Sequence, residues 1–256
     1  MTGVQTCALP IWRRVFTAAG SGAAIAAIFN TPLGGVFFAI ELILLNDFNA
    51  PTLSAVILAS VTASTISREL LGNESVFNFA SPETGSYHYL YMYAILGLVA
   101  GLASVFYLRY NSATSRIIRK KIYSKGIPQW SMMILVGLLV GVSGFFFKDI
   151  FGIGYTGINH ILAGRILWKV VLILFLLKFL LVPLVINSGG FGGTFAPSLF
   201  MGACLGFLFV TAANSFFDLE LDSTTYVLVG MGATLGGINT IPITAILIIF
   251  EMTQDE

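Results

Sequence analysis

From Ile166 to Asn187 the chain reads ILWKVVLILFLLKFLLVPLVIN. That is roughly the twenty consecutive apolar residues a helix needs to cross a bilayer. Runs of this kind recur along the chain, and they constrain its fold more than any other feature. In hydrocarbon every backbone N–H and C=O has to be satisfied within the protein, which leaves helices or closed barrels. Long uninterrupted apolar runs select helices. Charged residues make up only 10% of the chain, against about 25% in soluble domains. Mean hydropathy is +0.90. The expected fold class is therefore all-α, a polytopic membrane protein surrounded by lipid. A net charge of +1 gives no basic footprint, so no nucleic-acid partner is expected. Cys7 and Cys204 lack metal-ligand spacing, and His88 and His160 stand alone, so neither a metal nor a cofactor is expected.

Apolar pattern and breakers predict a small-residue helix over 16–29 and a short helix over 33–45 that contains Glu41. Longer spans are predicted over 50–71, 87–110, 130–147, 166–187, 195–213 and 226–250, the last with an internal break. Polar loops are predicted over 72–86, 148–165 and 214–224. Arg116, Arg119, Lys120, Lys121 and Lys125 crowd one connection, which the positive-inside rule places in the cytoplasm. Trp12, Trp130 and Trp168 read as interface anchors at span ends. Residues 1–12, MTGVQTCALPIW, fit no signal peptide and read as a non-native leader. The chain stops at Gln254-Asp255-Glu256 directly after an apolar run, so both ends read as cut.

Two segments carry chemistry. The first is Ser188–Leu205, SGGFGGTFAPSLFMGACL, in which Gly189, Gly190, Gly192 and Gly193 precede Thr194-Phe195-Ala196-Pro197. Glycine tolerates positive φ and close approach, and proline suits the first turn of a helix. A bare loop feeding a helix N-terminus is an anion site made from backbone N–H groups and the positive dipole end. The second is an internal repeat. Gly20–Glu41 aligns without gaps on Gly230–Glu251, so that Gly20, Gly22, Pro32 and Glu41 meet Gly230, Gly232, Pro242 and Glu251. Glu41 and Glu251 are either structural, bonded to backbone N–H groups, or carriers of protons. Their symmetry favours the structural role. Lys178, mid-span, is either satisfied by carbonyls or a carboxylate, which is favoured, or it concentrates anions along a vestibule. Ser188 is a formal nucleophile without a histidine on a facing span, so no enzyme is expected.

These segments resemble the CLC family of chloride channels and chloride/proton exchangers. Gly192-Gly193-Thr194-Phe195-Ala196-Pro197 is similar to its GGxFxP motif, and Phe29-Asn30-Thr31-Pro32-Leu33 to its FNxPL break. Gly230-Met231-Gly232-Ala233 and Phe250-Glu251-Met252-Thr253 fall where the family has similar segments. The resemblance implies two inverted halves of tilted, often partial helices. It implies a homodimer with one pore per subunit, in a plasma or bacterial inner membrane. It implies voltage-gated-type transport of chloride or a similar small anion. Main-chain amides of Thr194 and Phe195 would face the ion, with the Phe195 ring beside the pathway. Residues 13–256 would be part of a CLC transmembrane domain, with 13–71 ending the first repeat and 87–256 forming most of the second. The family's GSGIP and GxEGP motifs and its late tyrosine-bearing helix do not occur in the sequence, which places the chain in the middle-to-late part of a subunit and leaves open a fragment inactive by itself. Where many exchangers carry a second acid after the first, this chain has Leu42. Leucine cannot carry a proton, which favours a passive channel over an antiporter.

Overall fold

The computed structural model describes residues 3–45, 50–72, 77, 89–122, 124, 126, 128–217 and 221–253, with backbone alone at 3–11, 121, 122 and 217. Among these residues there are ten α-helices and no strand. They are α1 (Gly3–Phe29), α2 (Pro32–Phe38), α3 (Ala50–Leu71), α4 (Leu90–Ile117) and α5 (Gln129–Phe146). Then come α6 (Tyr155–Leu162), α7 (Trp168–Ser188), α8 (Phe195–Phe217), α9 (Ser223–Asn239) and α10 (Pro242–Thr253). Among the described residues five helices are long and apolar enough to cross a membrane: α3, α4, α5, α7 and α8. α2, extended by a π turn over Ala39–Ile43, and α10 are shorter apolar helices. The chain is thus a multi-pass helical membrane protein.

Several elements depart from the sequence expectation. α1 begins at Gly3, because nothing but Pro10 opposes a helix before residue 16, and the backbone runs through it. Trp12 therefore lies within α1 rather than at a span end. The basic residues do not sit in a loop: α4 continues to Ile117 and then into a π turn over Ile118–Ile122. Arg116, Arg119, Lys120 and Lys121 ride on this C-terminal end, where the helix dipole favours cations. Lys125 and His88 lie outside the described residues. The stretch 148–165 holds a 3₁₀ turn (Lys148–Ile150) and α6, whose eight residues are too few to announce a period. His160 sits on α6 with Nδ1 3.6 Å from Asp149, so it is not isolated. Pro183 does not interrupt α7, which runs on to Ser188. Membrane helices tolerate such a proline.

The chain divides into two compact units, one of residues 1–77 with 240–256 and the other of residues 78–239. In the first, α1 packs on α2 and α3, and α2 packs on α10. Ala18, Val36, Ala39, Ile40 and Val56 form its core. Asn30, between α1 and α2, is left-handed at φ 57°. Its side-chain oxygen accepts from Arg68 Nε at 2.5 Å and from Ser64 Oγ at 3.1 Å, both on α3. In the second unit α8 lies along α9, with α4, α6 and α7 against it. Leu96, Ala100, Val210 and Tyr226 anchor one cluster; Tyr107, Met201 and Ile238 anchor another. The α8 and α9 backbones touch. A Cβ at Gly206 would overlap the Tyr226 carbonyl, and one at Gly202 would overlap that of Gly230. Small residues let membrane helices approach this closely.

Candidate anion site

The candidate site lies in the second unit, where α7 ends and α8 begins. Gly189 closes α7 in the left-handed region at φ 97°, its N–H donating to the Ile186 carbonyl. Gly190 N–H donates to Val185 O at 3.0 Å. Ser188 Oγ is turned back onto Val185 O at 2.9 Å. Gly192 and Gly193 play a different part. Neither has a positive φ, both are exposed, and a Cβ on either would meet nothing within 4 Å. Their contribution is bareness in front of α8, not unusual backbone geometry.

α8 starts at Phe195, and Ser198 N–H donates to the Thr194 carbonyl at 2.9 Å. Thr194, Phe195, Ala196 and Pro197 are half-buried, and Ser198 behind them is buried. The N–H groups of a first helical turn point out along the axis at its positive end. Pro197 fits that turn because a proline there lacks only an N–H the helix would not use. The arrangement can hold a small anion by dipoles, without a side-chain cation that would trap it.

A chain of side-chain hydrogen bonds backs this turn. Thr194 Oγ1 donates to Asn239 Oδ1 at 2.7 Å. Asn239 Nδ2 donates to Ser198 Oγ at 3.0 Å and to Leu235 O at 3.2 Å. Ser198 Oγ donates to Phe195 O at 2.6 Å. Sequence reasoning missed Asn239 and Ser198. In the repeat Asn239 stands opposite Phe29, so the internal alignment gives it no weight.

The two glutamates lie in the first unit and form a reciprocal pair. Glu251, at the end of α10, accepts from Leu33 N at 3.0 Å and Gly34 N at 2.7 Å, the start of α2. Glu41, at the end of α2, accepts from Ile243 N at 3.1 Å and Thr244 N at 2.8 Å, the start of α10, and from Thr244 Oγ1 at 2.5 Å. Each short helix thus runs antiparallel to the other, and each is capped by the other's acid. Thr240, equivalent to Asn30, shares its left-handed backbone at φ 58°. Lys178 is buried on α7. Its Nζ donates to Gly152 O at 3.0 Å and lies 5.2 Å from the centre of the Phe200 ring. No carboxylate lies within 4 Å of it among the described residues. The described residues hold no cluster of His, Cys, Asp and Glu suited to a metal.

Helices of this length and polarity, two of them short and mutually capped, define a polytopic α-helical membrane protein. Residues 5–256 match the family described as "Voltage gated chloride channel". The chain belongs to that family, the CLC proteins. It is 33% identical to chloride channel protein CLC-e of Arabidopsis thaliana, over 93% of this chain and 37% of that protein. It is 28% identical to the H(+)/Cl(−) exchange transporter ClcA of Citrobacter koseri, over 95% of this chain and 52% of that protein. The crystal structure of a slow cyanobacterial Cl−/H+ antiporter superposes with a TM-score of 0.79 at 23% identity, covering 93% of this chain and 56% of that one. This last likeness concerns the fold. The chain spans a third to about half the length of the curated relatives it matches.

Proposed function

We infer that the protein moves chloride or a similar small anion across a membrane as a CLC-type channel, binding the ion at the start of α8. The observation that carries this reading is the uncovered approach at Gly192 and Gly193 to the half-buried turn Thr194-Phe195-Ala196-Pro197, in a chain of this family. Amides of Thr194 and Phe195 are the proposed contacts, with the Phe195 ring beside the path. Residues 13–71 close a first repeat and 87–256 form most of a second, inverted on it, in a homodimer. Leu42, which follows Glu41 and is 40% exposed, offers no proton carrier, which supports a passive channel.

A second reading, chloride/proton antiport, has its own support: ClcA is named as an exchange transporter, and the cyanobacterial fold match is an antiporter. One assay separates them. Full-length protein in liposomes under a chloride gradient is expected to release chloride faster than protein-free vesicles, and no excess release refutes the function. Proton uptake coupled to that release replaces the channel by the antiporter. Phe195→Ala is expected to change the nitrate-to-chloride flux ratio; an unchanged ratio removes Phe195 from the pathway.

A further inference from the structure

We propose that Asn239 is a positioning residue that pins the anion-binding turn to the C-terminal end of α9 and removes the Thr194 hydroxyl from the set of donors facing the ion. This rests on the reading of that turn as the anion site.

The orientation of the Asn239 amide follows from its neighbours. A backbone carbonyl is only an acceptor, so the amide atom 3.2 Å from Leu235 O is the NH₂ group. The same NH₂ group faces Ser198 Oγ, which therefore accepts and sends its own proton to Phe195 O. That leaves Oδ1 facing Thr194, and the only proton between them is that of the threonine hydroxyl. Every bond in the chain then has one direction: Thr194 to Asn239, Asn239 to Ser198, Ser198 to the carbonyl of Phe195. The single hydroxyl proton of Thr194 points inward and cannot also point at an ion.

The mechanical consequence follows from where Asn239 sits. It is the last residue of α9 and the last residue of the second unit; the next residue, Thr240, is left-handed at φ 58°. That region is uncommon for a β-branched residue. The side chain just before it grips the carbonyl side of Phe195 through Ser198 and the hydroxyl of Thr194 directly. Two consecutive residues of the site are thereby fixed from one point on a neighbouring helix.

The test uses full-length protein in liposomes. A thiol is introduced at the open position by Gly193→Cys in a Cys7→Ser background, since Cys204 is fully buried. Its rate of modification by a charged methanethiosulfonate reports how firmly the turn is held. Asn239→Leu and Thr194→Val are each expected to raise that rate about tenfold, the factor matching the half-buried bond from Thr194 that both variants remove, and the double variant no further than either. Thr194→Ser, which keeps the hydroxyl, is expected to keep the original rate. Thr211→Val, which removes a hydroxyl bonded within α8 to Phe207 O, is expected to change nothing. In the same variants without the added thiol, the nitrate-to-chloride ratio is expected to shift in Asn239→Leu and Thr194→Val, while Thr211→Val keeps the parent ratio. A protein with no anion flux at all ends the anion-site reading, and the labelling rates then decide the pin alone. Labelling of monodisperse Asn239→Leu within twofold of the parent overturns the proposal. If that variant fails to fold, the Thr194→Val rate decides by the same criterion.

Discussion

Replacing Glu251 by Gln keeps the shape of the side chain and turns one of its two acceptors into a donor. In the native pair both carboxylate oxygens accept main-chain N–H groups, from Leu33 at 3.0 Å and Gly34 at 2.7 Å. Each bond to a charged acceptor is worth about 1.5–3 kcal/mol, and a neutral one about 1 kcal/mol. The amide keeps one neutral bond and sets its NH₂ against the other N–H. The Leu33 N–H is exposed, so the lower end of the range applies there. The net loss is about 2–3 kcal/mol, and the favourable end-on charge at the start of α2 goes with it. For a chain of this size that corresponds to a fall in Tm of about 4–12 °C. Glu41→Gln is expected to lose a similar amount at the start of α10, because Thr244 Oγ1 can turn to another acceptor. Since the two caps hold one pair of helices, the double variant is expected to lose less than the sum of the singles. Thermal unfolding of purified protein, followed by tryptophan fluorescence, measures all three. Both singles within about 1 °C of the parent refute the capping role. A change in proton flux without a change in Tm moves the carboxylates to the proton-carrying role instead.

Two further outcomes follow from contacts already described. Gly206→Ala drives a Cβ onto the Tyr226 carbonyl and is expected to cost about 1–3 kcal/mol, whereas Gly192→Ala, with open space around it, is expected to leave Tm within about 1 °C; equal effects in the two refute the close packing of α8 on α9. Lys178→Met removes a buried ammonium that has no carboxylate within 4 Å among the described residues and is expected to raise Tm by about 2–4 °C. A lower Tm shows instead that the bond to Gly152 O outweighs desolvation.

The long helices are legible in the sequence as apolar runs, though not all their ends are. The span predicted over 50–71 is α3 to the residue, because the bilayer sets its length and nothing interrupts the apolar pattern. α6 was not readable, since eight residues offer barely two turns of periodicity between glycines. The end of α4 lies beyond the sequence expectation because a cluster of charge reads as loop, whereas cations at a helix C-terminus stabilise the helix that bears them. At the candidate site, Thr194 to Pro197 stood out through the glycines and proline before and within them. Asn239 did not: its importance comes from a neighbour some forty residues back in the chain, and no local pattern records that. The same holds for the glutamates. Their equivalence was written in the repeat, but that each reaches the other's helix depends on an antiparallel arrangement that only the folded chain displays.

The exchanged caps also bear on biosynthesis. Glu251 and Leu33 are separated by 218 residues and Glu41 and Ile243 by 202. At synthesis rates of about 5–20 residues per second, α2 waits roughly 10–40 s in the nascent chain before α10 exists. Throughout that interval one helix start lacks its acid and one acid lacks its helix start. A helix made some 200 residues before its partner is therefore among the last parts of this chain to become final.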